Sequence, residues 1–303
     1  MLSAPRYDLH NHSTASDGAL APAAVLALAQ AAGLDGFALT DHDTLAGFDA
    51  VRDTPLAQAV GLISGIELST QWSGLGVHVV GLDFDADHPI LRAAVASQQQ
   101  VRCERGLLIA ERLRKQGLPD CYEGALKYSA GGAGQLGRPH FAQYLVELGR
   151  VPTVQAAFDR WLGNGKPADI KQAWPELAQA VEWINQAGGV AVLAHPLKYK
   201  LTRTKLRRLV THFREAGGGA IEVAVAGQQP LETALIAKLS QEFGLLASLG
   251  TDFHEPGLSW CQIGRLPRLP DGCTGVWTRF AHYSHRETVQ QPGFEQAGSE
   301  LSA

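Results

Sequence analysis

The residues of this chain best suited to chemistry are histidines and carboxylates, and they fall at a few short motifs. Eleven histidines are present, most of them where a short apolar run ends. His10 and His12 follow Tyr7-Asp8-Leu9, and His42 sits in Thr40-Asp41-His42-Asp43. Glu67 sits in Gly65-Ile66-Glu67-Leu68, His195 precedes Pro196, and Asp252 and His254 follow Thr251. Alternate residues of an extended segment face the same side, so His10 with His12, and Asp252 with His254, are spaced to chelate one ion. Imidazole nitrogen and carboxylate oxygen are ligands that zinc, manganese and iron share. Each residue also has an ordinary alternative. Taken alone, Asp17 reads as a helix cap before Gly18, His78 as a core histidine near the start of its strand, and His195-Pro196 as a turn. Glu67, ending an apolar strand, is unlike the glutamates that proteins bury without a partner. Asp8, Asn11 and Asp43 either orient ligand rings or cap strand ends. Together, five strand ends carrying His, Asp or Glu point to a metal centre.

Residues so far apart in sequence meet only if the chain brings strand ends to one face. Candidate strands cover 7–10, 36–40, 62–67, 77–82, 190–195, 220–225 and 245–250. Candidate helices cover 22–32, 90–116, 138–148, 153–161, 176–186, 205–216 and 231–243. Pro22 suits a first helical turn, and Gly33 suits the position just past the end of that helix. The strand–helix rhythm predicts parallel βαβ units, whose strands present their carboxyl ends on one side. The rhythm breaks between about 96 and 172, where helices and glycine-rich loops replace strands. The fold class is therefore α/β with a helical insertion.

The ordered motifs D-L-H-N-H-S, T-D-H-D, G-I-E-L-S, A-H-P and T-D-F-H resemble the PHP (polymerase and histidinol phosphatase) family of metal-dependent phosphoesterases. The likeness spans residues 7–82 and 190–254. G-R-P-H-F-A at 137–142 and G-K-P-A at 165–168 resemble the subgroup of bacterial nucleoside 3′,5′-bisphosphate phosphatases that also trim short RNA from its 5′ end. The resemblance implies a distorted seven-stranded β/α barrel over 1–95 and 172–285, an insertion over 96–171 that helps bind substrate, and a tail over 286–303. It implies up to three divalent metals per chain, manganese first, with zinc or iron as alternatives. His10, His12, Glu67 and Asp252 would hold one ion. Glu67 would bridge to a second, shared with His78 and His195, and Asp17, His42 and His254 would hold a third. Asp17, His42 and His195 are expected to act in catalysis, and Arg138 and His140 to bind substrate. Pro139 suits the first turn of a helix whose free N–H groups attract anions, and Arg138 adds a bidentate clamp. His140 would bind phosphate or protonate the leaving group. Asp169 departs from the subgroup, which has an aromatic residue after G-K-P-A.

Other features narrow the field. A chain 45% hydrophobic and 18% charged is an ordinary globular protein, and its net charge of −4 gives no global basic field for long nucleic acid. Small nucleotide phosphates and short single-stranded RNA remain open as partners, and no obligate protein partner is indicated. Cys103, Cys121, Cys261 and Cys273 form no C-x-x-C pair and read as reduced thiols. Without a signal peptide or a long apolar stretch, the expected location is cytoplasmic. Gly132–Gly137 fits G-x-G-x-x-G but follows no strand, and 163–167 lacks the Ser or Thr of a P-loop. The basic run Lys198, Lys200, Arg203, Lys205, Arg207 and Arg208 reads as a solvated helix face, and 98–115 as core packing with a solvated face. Competing functions are a histidinol-phosphate or other phosphomonoester phosphatase, a non-catalytic metal or nucleotide sensor, and an amidohydrolase, which would want a bridging lysine.

Overall fold

Short apolar runs punctuated by glycine and proline become strands, and amphipathic stretches become the helices between them. The structure is a computed structural model and describes residues 5–170 and 174–281. The expected tail over 286–303 lies outside them. In chain order come β1 (Tyr7–Asp8), α1 (Pro22–Ala31), β2 (Gly36–Ala38), α2 (Ala46–Val51), α3 (Pro55–Ala59) and β3 (Leu62–Ile63). Next are β4 (Gly65–Trp72), β5 (Leu75–Leu82), α4 (Pro89–Lys115), α5 (Tyr122–Leu126), α6 (Arg138–Glu147) and α7 (Val154–Ala157). Last are α8 (Leu177–Gln186), β6 (Val190–Leu193), α9 (Arg203–Glu215), β7 (Ala220–Val225), α10 (Pro230–Glu242) and β8 (Leu246–Gly250). Pro22 opens α1, and Gly33 leaves it at φ 63°, a conformation that costs glycine nothing.

The strands form a parallel three-stranded sheet, β1-β2-β3, and a mixed five-stranded sheet, β4-β5-β6-β7-β8. The all-parallel expectation fails at β4, β5 and β6, which pair antiparallel. The cause is local: Ser73 and Gly74 both take positive φ (49° and 73°), the geometry of a tight hairpin turn. Ser64 separates β3 from β4, so the expected strand over 62–67 is two strands. Glu67 is the third residue of β4 rather than the last of its strand, and His78 is the fourth of β5.

The seven-stranded barrel is also corrected. The two sheets touch through isolated bridges, His42 with Glu67 and Asn11 with Phe253, not through continuous ladders. Leu9 N donates to Leu249 O (3.1 Å) and Asp252 N to His10 O (2.8 Å), which ties the end of β1 to the end of β8. Among the described residues the result is an α/β fold of two abutting sheets and no closed barrel.

Packing follows the pleat. Ile66, Leu68, Val77 and Val79 bury one face of the hairpin in the cluster that includes Val181 and Ile184 of α8, Phe213 of α9 and Ile236 of α10. Val80 and Leu82 join Tyr7, Leu9, Val192, Ala224 and Leu249 in a second cluster between the sheets. Each such fully buried side chain contributes about 1.5–3 kcal/mol. Among the described residues no strand forms between β5 and β6. That stretch has its own core, in which Ile109, Leu113, Phe141, Leu145 and Leu162 are buried together. Helix α4 joins both cores: its Leu91 and Val95 pack with the sheets, its Ile109 and Leu113 with the insertion. It runs unbroken through residue 96.

Candidate metal centre

All nine expected ligands converge around Glu67. Antiparallel register explains His78: Glu67 pairs with Val80 and Ser69 with His78, so Glu67 and His78 are diagonal neighbours on one face. His78 Nδ1 lies 2.9 Å from Glu67 Oε1, as does His195 Nε2. The other oxygen, Oε2, lies 3.0 Å from His42 Nδ1, 3.2 Å from His10 Nε2 and 3.3 Å from His12 Nε2. Asp252 Oδ1 is 3.3 Å from His12 Nε2 and 3.6 Å from His10 Nε2. Asp17 lies 3.4 Å from His254 Nε2 and 3.9 Å from both His12 Nδ1 and His42 Nε2.

Several of these atoms are buried and lack a hydrogen-bond partner: His10 Nε2, His12 Nδ1 and Nε2, His42 Nδ1 and Glu67 Oε2. Buried polar atoms in native proteins are normally satisfied, so orphans aimed at common points fit cations. Three groups have ligand atoms mutually within 4.8 Å: His10-His12-Glu67, His42-Glu67-His78 and His12-Asp17-His42-His254. These groups draw His12 toward Asp17 as well as Glu67, and pair His42 with His78 where the family resemblance pairs His195.

Local backbone places each expected ligand. Gly250 lets His10 approach: a Cβ there would stand 2.2 Å from His10 Cβ. Asp41 accepts from Ser13 N (2.8 Å), Ser13 Oγ (2.8 Å) and Ser16 Oγ (2.7 Å), and so folds the loop that carries Asp17. Asp17 is thus not a helix cap; Ala21 occupies that position for α1. His195 and Asp252 take positive φ (25° and 54°), as does Asp43 beside His42 (52°). Such strain at ligand positions is common in functional sites.

The electrostatics follow from burial and proximity. Burial alone would raise the Glu67 carboxyl, but the imidazoles of His42, His10 and His78 hold it well below the usual range. Asp17 is likewise held low against its burial by His42 and His254, and Asp252 by Lys198 and His10. Burial pulls His10 down, yet Glu222, Glu67 and Asp252 carry it well above its usual value. His12, opposed by burial and lifted by Asp252 and Glu67, stands at about 9. Burial prevails at His42 and His195, which are lowered. Without metal, imidazolium protons thus offset part of the carboxylate charge that bound cations would offset.

One supporting acid, Glu222, escaped the sequence reading. Glu222 holds His10 Nδ1 at 2.8 Å and accepts from the His195 backbone N–H. Its signal was present: like Glu67, it is a lone acid in an apolar strand. Asp8 accepts from Thr251 N, Thr251 Oγ1 and Gly264 N. Asp43 binds Ser69 N, Gln98 and Arg102. Lys198 is not on a solvated helix; it lies in the turn after β6 and pairs with Asp252. The helix over 98–115 has the expected packed and solvated faces, with Ile109 and Leu113 buried and Glu111 and Arg114 exposed, but its Gln98, Arg102 and Arg105 are buried as well. Arg138, half-buried, donates to Leu162 O and Asn164 Oδ1 (both 3.1 Å) and lies 4.0 Å from Asp169, so it is not a solvated surface charge. His140 is buried; its Nδ1 accepts from Gly137 N (3.0 Å) at the start of α6, and burial lowers its pKa.

Residues 8–190 match the PHP domain model. The chain belongs to the PHP family. This PHP protein is 42% identical over 275 residues to a 5′-3′ exoribonuclease of Haemophilus influenzae, covering 91% of this chain and 99% of that one. It is 37% identical over 270 residues to a 3′,5′-nucleoside bisphosphate phosphatase of Chromobacterium violaceum, covering 89% and 94%. A solved Chromobacterium violaceum structure named as an amidohydrolase, with bound sulfate and no metal, superposes with a TM-score of 0.83 at 37% identity, covering 90% and 95%. The PHP chain is accordingly a metal-dependent hydrolase of phosphoesters. No helix among its described residues is long and apolar enough to cross a membrane.

Proposed function

We propose that this PHP protein removes the 3′-phosphate of nucleoside 3′,5′-bisphosphates, leaving nucleoside 5′-monophosphates, and that it also trims short 5′-phosphorylated RNA. The observation that carries this reading is a cavity of about 540 Å³ that joins the metal centre to the insertion. His78, Lys198 and Tyr199 line it with Arg105, Arg138, Asn164 and Trp174. A phosphate ester can place its reacting group at the centre and its remainder among basic and aromatic groups. The names of the relatives support both substrates, and the chemistry links them. In either case the P–O3′ bond of a nucleotide carrying a 5′-phosphate breaks, and a nucleoside 5′-monophosphate leaves.

When bound, divalent cations, manganese first with zinc or iron as alternatives and up to three per chain, supply an acidified water and offset charge on the phosphoryl oxygens. His10, His12, Glu67 and Asp252 would hold one, Glu67 with His78 and His195 a second, and Asp17, His42 and His254 a third. Asp17, His42 and His195 border the reacting phosphate through those positions. Glu222 fixes the ring of His10 and the backbone of His195. Arg138 and His140 flank the substrate. Nδ1 of His140 accepts from Gly137, its ring also bonds the Ser16 backbone, and burial lowers its pKa, so it acts as a positioning group rather than a strong acid.

An amidohydrolase reading is disfavoured, because Glu67, not a lysine, occupies the centre, and Lys198 is committed to Asp252. The deciding assay is phosphate release with added manganese from adenosine 3′,5′-bisphosphate, histidinol phosphate and a short 5′-phosphorylated RNA. Preference for the bisphosphate, with or without RNA trimming, is expected. Preference for histidinol phosphate would overturn the substrate, and inactivity on all three with metal bound would favour a sensor.

A further inference from the structure

Two cavities adjoin the metal centre. His78 Nδ1 and His195 Nε2 both lie 2.9 Å from Glu67 Oε1, so two rings meet one oxygen. The cavity of about 540 Å³ is lined by His78. A second, of about 210 Å³, is lined by His195, and Lys198 lines both. The walls of the second differ in chemistry. Leu197, Val225, Ala226 and Gly227 make much of it apolar, and Lys198 is the one lysine or arginine among its described lining residues. Its acid, Glu232, is engaged by Gln229 N (2.9 Å) at the start of α10.

Three loops at strand ends meet here. The turn after β6 supplies Leu197 and Lys198, and the loop from β7 to α10 supplies Ala226 and Gly227. The loop after β8, which carries Asp252 and His254, brings Trp260 against Gly227: a Cβ there would stand 3.0 Å from Trp260 Cε3. Trp260 is 57% exposed, and Leu231, in the first turn of α10, is 86% exposed. They are the two most exposed large hydrophobic side chains among the described residues, and both adjoin the Gly227 loop. Their supports are fixed. Gln228 Nε2 donates to Val223 O (2.9 Å) and Thr233 Oγ1 (3.1 Å), which pins that loop. Cys261, next to Trp260, is buried and donates to Thr251 O (3.3 Å). An indole backed by a glycine, anchored through its neighbour and open to solvent keeps ring surface for a planar ligand.

The trimming of RNA calls for such a surface. In a 3′,5′-bisphosphate the reacting phosphorus carries nothing further than oxygen. In RNA it carries the 5′ oxygen of the rest of the chain. The 5′-terminal nucleotide fills the larger cavity, so the rest of the chain leaves the centre by another opening. We propose that Trp260 stacks on the base of the nucleotide just 3′ of the scissile phosphate, with the smaller cavity beside it receiving the sugar, so that this face is a subsite for RNA that a bisphosphate does not touch. This rests on the RNA half of the reading under Proposed function. Stacking on an indole accepts every base, as a trimming reaction requires.

The first test is binding. A 5′-phosphorylated tetranucleotide RNA labelled at its 3′ end is titrated by fluorescence anisotropy with metal-stripped wild type, Trp260→Ala and Trp260→Phe. The Kd is expected to rise about tenfold in Trp260→Ala, with partial recovery in Trp260→Phe. The second test is turnover with manganese. In Trp260→Ala, kcat/KM for the RNA should fall about tenfold, while that for adenosine 3′,5′-bisphosphate stays within about twofold of wild type. An RNA lacking the base of its second nucleotide should be trimmed equally by both proteins, because nothing remains to stack. Unchanged RNA affinity and trimming in Trp260→Ala would overturn the subsite. Equal losses on RNA and bisphosphate would also overturn it, since Trp260 would then only prop the loop that carries Asp252. So would a loss on the abasic RNA as large as on the normal one. If wild type hydrolyses the bisphosphate but neither binds nor trims the RNA, the RNA half of the proposed function fails, and the subsite with it.

Discussion

Glu67 is the residue on which the centre depends, because five imidazoles approach its two oxygens. Replacing it with Gln keeps the shape but removes the anion. Glu67→Gln should lose bound metal by elemental analysis and at least about 100-fold in kcat. Full metal content with full activity would rule out a bridging role. Glu222 touches no proposed ion yet orients His10, and Glu222→Gln should weaken metal affinity by about 10- to 100-fold. Competition with a fluorescent chelator measures this, and unchanged affinity would reduce Glu222 to packing. Proton linkage belongs to this scale too. In the metal-free chain His12 has a folded pKa of about 9, above its usual 6.5. Its contribution to stability is fully present below 6.5 and is lost as pH rises through about 9. Metal needs the neutral ring, so metal uptake at pH 7 should release protons. Calorimetry in buffers of different ionisation enthalpy reads that release, and a metal-binding heat independent of buffer would contradict it.

At the scale of elements, register does the positioning. The β4–β5 hairpin places Glu67 and His78 on one inner face, and a one-residue slip would turn both outward. The junction between β1 and β8 is equally exacting. Gly250→Ala would push a Cβ into His10. We expect a loss of about 1–3 kcal/mol in chemical denaturation. Because the shift falls on a proposed ligand, metal affinity should drop as well. A stable variant with wild-type metal affinity would show that the strand end yields freely. The sequence showed the helices well, since caps and prolines mark them: the stretch 90–116 is observed as Pro89–Lys115. It showed strand direction poorly. Trp72-Ser73-Gly74-Leu75 held a hairpin signal, but the apolar runs on either side suited parallel strands equally well.

For the molecule as a whole, bound cations would tie together residues from both sheets, from His10 to His254. The insertion keeps its own buried cluster around Phe141 and Leu145. Chelation should therefore loosen one part of the molecule and spare the other. Hydrogen exchange should quicken around His10, His42 and Asp252 when metal is removed, while amides around Ile109 and Leu145 keep their protection. Saturating metal at a hundred times its Kd should add about 2.7 kcal/mol of stability. Uniform exchange changes over both parts would show that the two cores unfold as one unit.

What the sequence determined alone was the ligand chemistry. Histidines and carboxylates at strand ends, with the order of their motifs, suffice to indicate a metal centre, because ligand type and spacing are local properties. What only the tertiary structure decided was which of them meet and what supports them. His78 reaches Glu67 through antiparallel register, Glu222 supports His10 across 212 residues of chain, and Lys198 leaves its basic run to pair with Asp252. Arg105 is the clearest case. In sequence it is one more cation on a polar helix, and only packing shows that it is buried with no acceptor among the described residues. Burial and unmet hydrogen bonds are properties of the surroundings, and no reading of a residue's own neighbours in the chain contains them.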